Sequence, residues 1–357
     1  MEIIKFSEEQ ILDVLQKFGF NSGEVKYYPL GIGHINQSWI VESKGFKYIL
    51  QYINPYIFSS IEVLTRNFRT ISEYLKTAPF WETLKTPELY PTKENNYLLV
   101  TEKKYNWRMI NYIEHDANYK HITSETQAYE AAKAYGSYAK CLSYLPISDI
   151  GQTILNFHDP EARIIEFGKA LNEDIVGRRK MALPEIDFIR NNSEYARKVS
   201  KLITSSIIPT RITHNNTALD NLLWRENKIC AIVDLDTTMP STLLYDFGDM
   251  VRTYTSPIID EATNSSDISV QCNIVCAIIE GYLESTAVFM TPMERSALFE
   301  GALMVIYIQA VRYMTDYLKD DPYYPINYPE QNLDRVRNHF ELFRQILGME
   351  NEIRKLL

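Results

Sequence analysis

Cysteine is scarce in this chain, and the four that occur, Cys141, Cys230, Cys272 and Cys276, are scattered. A disulfide framework is therefore excluded as the source of stability, and nothing points to secretion. Cys272 and Cys276 stand one helical turn apart, but no second Cys/His pair accompanies them and their neighbours are apolar, so they read as core residues of a helix and not as metal ligands. A surplus of cations is also missing. The formal charge of −9 argues against a general surface for nucleic acid or other polyanions. No apolar run approaches the roughly 18 residues needed to cross a bilayer, no basic and apolar leader opens the chain, and no internal repeat occurs. The expectation is a cytoplasmic protein with no membrane span and no nucleic-acid partner.

What the chain does have is bulk: 357 residues, 45% of them apolar, enough for two domains or one bilobal unit. Ser7, followed by Glu8-Glu9-Gln10 and an apolar stripe through Phe18, predicts a short capped helix that stops at Gly19. Residues 25–30, 37–42 and 46–53 read as strands, separated by Gly31-Ile32-Gly33-His34-Ile35-Asn36 and by Ser43-Lys44-Gly45. Helical spacing returns over 59–76, and two more strands are predicted over 97–100 and 107–113. The polar stretch Glu114-His115-Asp116-Ala117-Asn118 then breaks the pattern. Beyond it, 128–145, 159–171, 184–205, 267–283, 291–317 and 331–347 carry helical periodicity, with a single island of β-pattern over 221–236 that forms the region's only hairpin. The expected fold class is α+β, with a β-rich lobe over 1–114 and a larger, mainly helical lobe over 115–357.

The chemistry concentrates in Thr213-His214-Asn215-Asn216-Thr217-Ala218-Leu219-Asp220-Asn221, followed by the apolar run Ile229-Cys230-Ala231-Ile232-Val233 and then Asp234-Leu235-Asp236. Phosphoryl transfer of the protein-kinase type needs a loop residue that takes the acceptor's proton, an Asn on Mg²⁺, and an Asp across the metal. Asn221, five residues after Asn216, and Asp234, thirteen further on, have that spacing. The base position holds Asn216, whose amide orients a hydroxyl through its oxygen but cannot accept a proton. Asp220 and Asp236 are the carboxylates placed to substitute for it. Asp236 also reads as a group supporting the metal or as a second ligand. His214 reads as structural. Asp246-Phe247-Gly248 matches a metal-binding tripeptide but follows the strand and the metal Asp, so Asp246 reads as a brace for the loop. The glycine segment at 31–36 lies between two strands, which excludes a dinucleotide fingerprint. It is either a flap over phosphates, with His34 and Asn36 as donors, or a turn that those residues satisfy.

Taken in order, Gly31-Ile32-Gly33-His34-Ile35-Asn36, Tyr48-Ile49-Leu50-Gln51, Phe157-His158-Asp159, Arg211-Ile212-Thr213-His214-Asn215, Val233-Asp234-Leu235-Asp236-Thr237, Tyr245-Asp246-Phe247-Gly248-Asp249 and Arg312-Tyr313-Met314-Thr315-Asp316-Tyr317-Leu318 resemble the aminoglycoside phosphotransferase and choline kinase superfamily, within it the N-acetylhexosamine 1-kinases. The resemblance implies a protein-kinase-like bilobal fold and transfer of the γ-phosphoryl group of ATP, with Mg²⁺, to the anomeric hydroxyl of an N-acetylated hexosamine. It also implies three departures. Asn216 stands where the family has its catalytic Asp, Ala218 where Lys is usual, and Tyr52 where the third strand usually carries a basic residue. The expectation is therefore a sugar 1-kinase with altered or reduced activity, and the alternative is a pseudokinase that binds nucleotide or sugar without phosphotransfer. The candidates are then Asn216 and Asp236 for catalysis, Asn221 and Asp234 for the metal, Gly31, Gly33, His34, Asn36, Ile113 and His115 for the nucleotide, and Arg312, Arg163 and Trp107 for a small-molecule substrate, expected to be a sugar.

Overall fold

In the computed structural model the described residues are 4–32, 36–79, 81 and 84–357. The small lobe begins with α1 (Glu8–Lys17), where the Ser7 hydroxyl accepts from Gln10 N and the Gln10 side chain accepts from Ser7 N, a reciprocal capping box. Next come β1 (Val25–Ile32), β2 (Gln37–Ser43), β3 (Phe46–Ile53), α2 (Ile61–Leu75), β4 (Leu89–Tyr90), β5 (Leu99–Val100) and β6 (Asn106–Asn111). The antiparallel sheet runs β1-β2-β3-β6-β4, with β5 on the end of β6. Two-residue alternation sorts its faces. Leu50 and Tyr52 of β3, with Trp107 and Met109 of β6, pack against Val14, Leu15 and Phe18 of α1. Gln51 and Arg108, opposite one another in register, face the other way.

The large lobe contains α3 (Glu125–Leu142), α4 (Pro160–Glu173), α5 (Leu183–Thr204), β7 (Arg211–Thr213), β8 (Leu222–Arg225), β9 (Lys228–Ile232), β10 (Met239–Ser241), α6 (Leu243–Tyr254), α7 (Cys272–Thr286), α8 (Pro292–Ser296), α9 (Leu298–Leu318), α10 (Gln331–Gly348) and α11 (Glu350–Leu356). Helix α9 is buried on nearly every side, which explains its all-round apolar sequence. No described helix is long and apolar enough to cross a membrane. Gly281 lets α7 lie directly on α3, because a Cβ there would overlap the Tyr129 carbonyl.

Three details differ from the sequence reading. The 291–317 segment is two helices, α8 and α9, divided at Ala297. The β8–β9 hairpin is accompanied by a second pair, β7 with β10, which joins residues too far apart for local pattern to reveal. Cys272 is exposed at the first turn of α7 and only Cys276 is partly covered, so the two are not core residues.

Candidate active site

Strand β7 delivers the chain into the 213–221 loop, and the large lobe fixes that loop's backbone from two sides. Asp246 of α6 accepts from the backbone N–H groups of His214 (3.0 Å) and Asn215 (2.7 Å), so the tripeptide look-alike is a brace. Asn215 sits at φ 64°, a left-handed conformation that Asn tolerates. Thr217 N donates to Asp249 (2.9 Å), Tyr254 donates to the Thr217 carbonyl (2.6 Å), and Tyr135 donates to the Ala218 carbonyl (2.8 Å). The His214 ring lies at the edges of Tyr135 and Tyr138, with Nε2 3.1 Å from the Val233 carbonyl. Burial pushes its pKa down to about 4. It is therefore a neutral structural group.

The hairpin geometry brings the two metal candidates to one end. Val233 N donates to the Asn221 carbonyl (2.9 Å), continuing the β8–β9 ladder, so Asp234 follows directly beside Asn221. The Asn221 amide donates to the Asn216 carbonyl (3.0 Å), which leaves its oxygen out of that bond. Asp234 takes a left-handed backbone (φ 57°, ψ 59°). Its carboxyl is pushed above the usual range, first by the protein enclosing the cleft and then by Asp236, while Arg108 pulls it down. By surface area the residue is nonetheless exposed to solvent.

Asp236 does not serve as a spare base. It is buried, and its two oxygens take Nη1 and Nη2 of Arg108 at 2.6 and 2.8 Å in a fork-to-fork pair. Asn36 adds a bond to Oδ2 (2.9 Å), and Thr153 holds the Asp236 carbonyl (2.7 Å). A carboxylate so occupied cannot reach an acceptor proton. Asn36 is committed in turn, since its amide oxygen accepts from Asn54 N (3.2 Å), and it is not an open phosphate donor. Together these bonds tie β6 and the 36–54 region to the loop that carries Asp234.

The same contacts revise the electrostatics expected at Tyr52. That side chain is buried in the small-lobe core, edge-on to Phe6, Tyr105 and Trp107, on the face away from Asp236. On the opposite face of this sheet lies Arg108, buried against the large lobe, whose Nε donates to Gln51 (2.8 Å) and whose guanidinium lies over the Phe68 ring. Sequence reasoning missed Arg108, although an Arg two-fold out of phase with Trp107 and Met109 was a readable signal. Trp107 itself is core, and does not wall the cleft. Ile113 packs with Leu223 and Ala231, and its carbonyl takes the His115 Nδ1–H (2.7 Å). Gly31 pairs with Ser38 next to a bulge at the end of β1. Gly33 and His34 lie outside the described residues.

Asn216 borders a hollow of about 70 Å³ lined also by Phe157, His158, Tyr245, Asp249, Arg252, Gln309 and Arg312. The one carboxylate among these lining residues, Asp249, is taken by Thr217 N and by Arg252 Nε and Nη2 (3.1 and 2.9 Å). His158 stacks on Tyr245 and holds the Asn215 carbonyl through Nε2 (2.9 Å), while burial pushes its pKa down to about 4. Arg312 reaches the hollow from α9. Arg163 does not line it: its guanidinium pairs with Glu166 (3.0 Å) and holds the Phe157 carbonyl (3.2 Å), so it acts on a wall of the site from behind.

A family model described as a phosphotransferase enzyme family matches residues 26–264. Among solved structures, an aminoglycoside phosphotransferase from Alicyclobacillus acidocaldarius is 12% identical, with 100% of this chain and 98% of that one covered at a TM-score of 0.66. A spectinomycin phosphotransferase in complex with ADP and spectinomycin is 14% identical (97% and 99% covered, TM-score 0.61). Choline kinase from Cryptosporidium parvum Iowa II is 14% identical (98% and 98% covered, TM-score 0.56). At these identities the likeness is one of fold: a small antiparallel lobe on a larger helical one.

Proposed function

Because this chain belongs to the phosphotransferase enzyme family, we propose that it transfers the γ-phosphoryl group of ATP to a hydroxyl of a small molecule in the cytoplasm, with a sugar of the N-acetylhexosamine kind as acceptor. The supporting observation is the meeting of Asn216, Asn221 and Asp234 at one end of the β8–β9 hairpin, beside a polar hollow. An amide oxygen and an open carboxylate form a hard donor set that suits Mg²⁺, which keeps several waters and binds through one or two protein oxygens plus phosphate. When bound, the metal supplies positive charge to the phosphoryl oxygens. The buried cluster of Ile113, Leu223 and Ala231 backs the partly exposed Val233 and Cys230, and residues 1–114 are assigned to the nucleotide lobe over an acceptor lobe of 115–357.

In this reading the Asn216 amide oxygen orients the acceptor hydroxyl. The acceptor oxygen forms a bond to the γ-phosphorus, the bond to the bridging oxygen breaks, and ADP leaves with that electron pair. No open carboxylate lines the hollow among the described residues, so the acceptor proton passes to a phosphoryl oxygen or to water. A loose transition state tolerates this late transfer. The missing base costs about 10²–10⁴-fold in rate. A neutral Asn216 also favours the second reading, a protein that binds nucleotide and sugar without turnover. ADP release measured over a sugar panel separates them: turnover by the unsubstituted chain supports phosphotransfer and turnover by Asn216→Asp alone supports the second reading, the variant gaining about 10²–10⁴-fold in the first case. No gain in that variant, with ATP and Mg²⁺ bound, would show that position 216 is not the base position.

A further inference from the structure

Among the described residues, Arg312 is the cation of the acceptor hollow that has no carboxylate partner. The other arginine there, Arg252, is shared between Asp249 (2.9 Å) and Asp260 (3.6 Å). Elsewhere in the large lobe Arg178 has Asp320 and Asp321, Arg211 has Glu294, and Arg337 has Glu185. For Arg312 the structure gives one hydrogen bond, from Nη1 to the Gln309 amide oxygen (3.2 Å), and three aromatic faces, Phe157, Tyr323 and Tyr324, 5.5–6.0 Å from its guanidinium. The acid one helical turn away, Asp316, is spent on Tyr323 N, Tyr324 N and the Asn332 amide, so no local pair forms. Aromatic rings solvate a cation but carry no net negative charge. A half-buried guanidinium with unused donors beside an acceptor site is built to take a planar or tetrahedral oxyanion.

Resting on the phosphotransferase reading above, we propose that the acceptor carries an oxyanion, a carboxylate or a phosphate, that Arg312 binds in the hollow next to Asn216. Small-molecule pockets are usually about 300–1,000 Å³. A hollow of about 70 Å³ therefore seats one compact group of the acceptor, with the rest of the molecule lying toward the cleft. Within the N-acetylhexosamine class this selects an acidic member, such as a 6-phosphate, over the neutral sugar. A cationic acceptor would meet Arg312 and be repelled.

The test is calorimetric titration of the full chain with matched ligands, glucose against glucuronate and N-acetylglucosamine against its 6-phosphate, without nucleotide, and separate titration with ATP and Mg²⁺. An acidic member should bind about 10- to 100-fold more tightly than its neutral partner, the span of a charge-assisted bond. Arg312→Gln should abolish that preference, Arg312→Lys should keep part of it, and both should bind ATP as the unsubstituted chain does, which also reports that they fold. Preference for glucuronate alone, or for the phosphate alone, supports the proposal and identifies the oxyanion. Equal affinity within both pairs, no binding by either acidic member, or a preference that survives Arg312→Gln overturns it. Failure of the unsubstituted chain to bind ATP instead overturns the phosphotransferase reading and leaves the Arg312 result to be judged by itself.

Discussion

Arg108→Met tests whether the fork between Arg108 and Asp236 holds the loop that presents Asp234. Both side chains are nearly inaccessible, at 2% and 3% exposure. Removing the guanidinium therefore leaves the Asp236 carboxylate buried with only the Asn36 bond, and the Gln51 amide oxygen loses its donor while its Nε2 keeps the bond to Ser38. Breaking a buried ion pair from one side costs about 3–5 kcal/mol. The loss should appear as a lower free energy of urea-induced unfolding. The double variant Arg108→Met with Asp236→Asn removes the stranded charge as well, and should recover most of the loss, because it is the uncompensated carboxylate that is expensive. A single variant within about 1 kcal/mol of the unsubstituted chain, in the range of an exposed pair, would refute the burial argument. Additivity of the two substitutions would refute their coupling.

Tyr52→Arg, which the family pattern suggests as a restoration, should instead destabilise by several kcal/mol, since it places a cation among Phe6, Tyr105 and Trp107; chemical denaturation reads this directly, and a gain in activity without loss of stability would contradict the assigned face. Asp234→Asn should leave the apo melting temperature near its original value but remove the stabilisation by ATP and Mg²⁺, about 2.7 kcal/mol at a hundredfold excess over the dissociation constant; an undiminished ligand shift would mean that Asp234 does not hold the metal. Burial lowers the pKa of His339 from 6.5 to about 4. Its folded pKa is depressed, so the unfolded chain takes up a proton that the folded chain refuses, and stability is lost as pH falls from 6.5 toward 4, by about 3 kcal/mol for this one group. His339→Gln removes that term, so the stability gap between the two proteins should shift in favour of the variant across this window, and a gap independent of pH would contradict it.

Much of the fold was legible because the chain repeats simple periods. The capping residue Ser7, the β-prone runs of β1 to β3, and the helical stripes of α2 to α5 are local signals, and local hydrogen bonds answer them. The placing of Asn221 beside Asp234 was legible for the same reason: one tight hairpin lies between them, and its register is fixed by the chain's own connectivity. The β7–β10 pair was not, because its partners are joined only through the intervening hairpin and loop.

What the sequence determined by itself was the family, the two-lobe division of strand and helix, and the neutral side chain at position 216. What only the tertiary structure decided was how charge is distributed around that side chain. Arg108 and Asp236 are 128 positions apart and meet through the closing of one lobe on the other. Arg312 and Asn216 share a hollow because α9 crosses behind the loop. Whether a carboxylate is open, as at Asp234, or occupied, as at Asp236 and Asp249, depends on partners brought from distant segments, and no period along the chain encodes them.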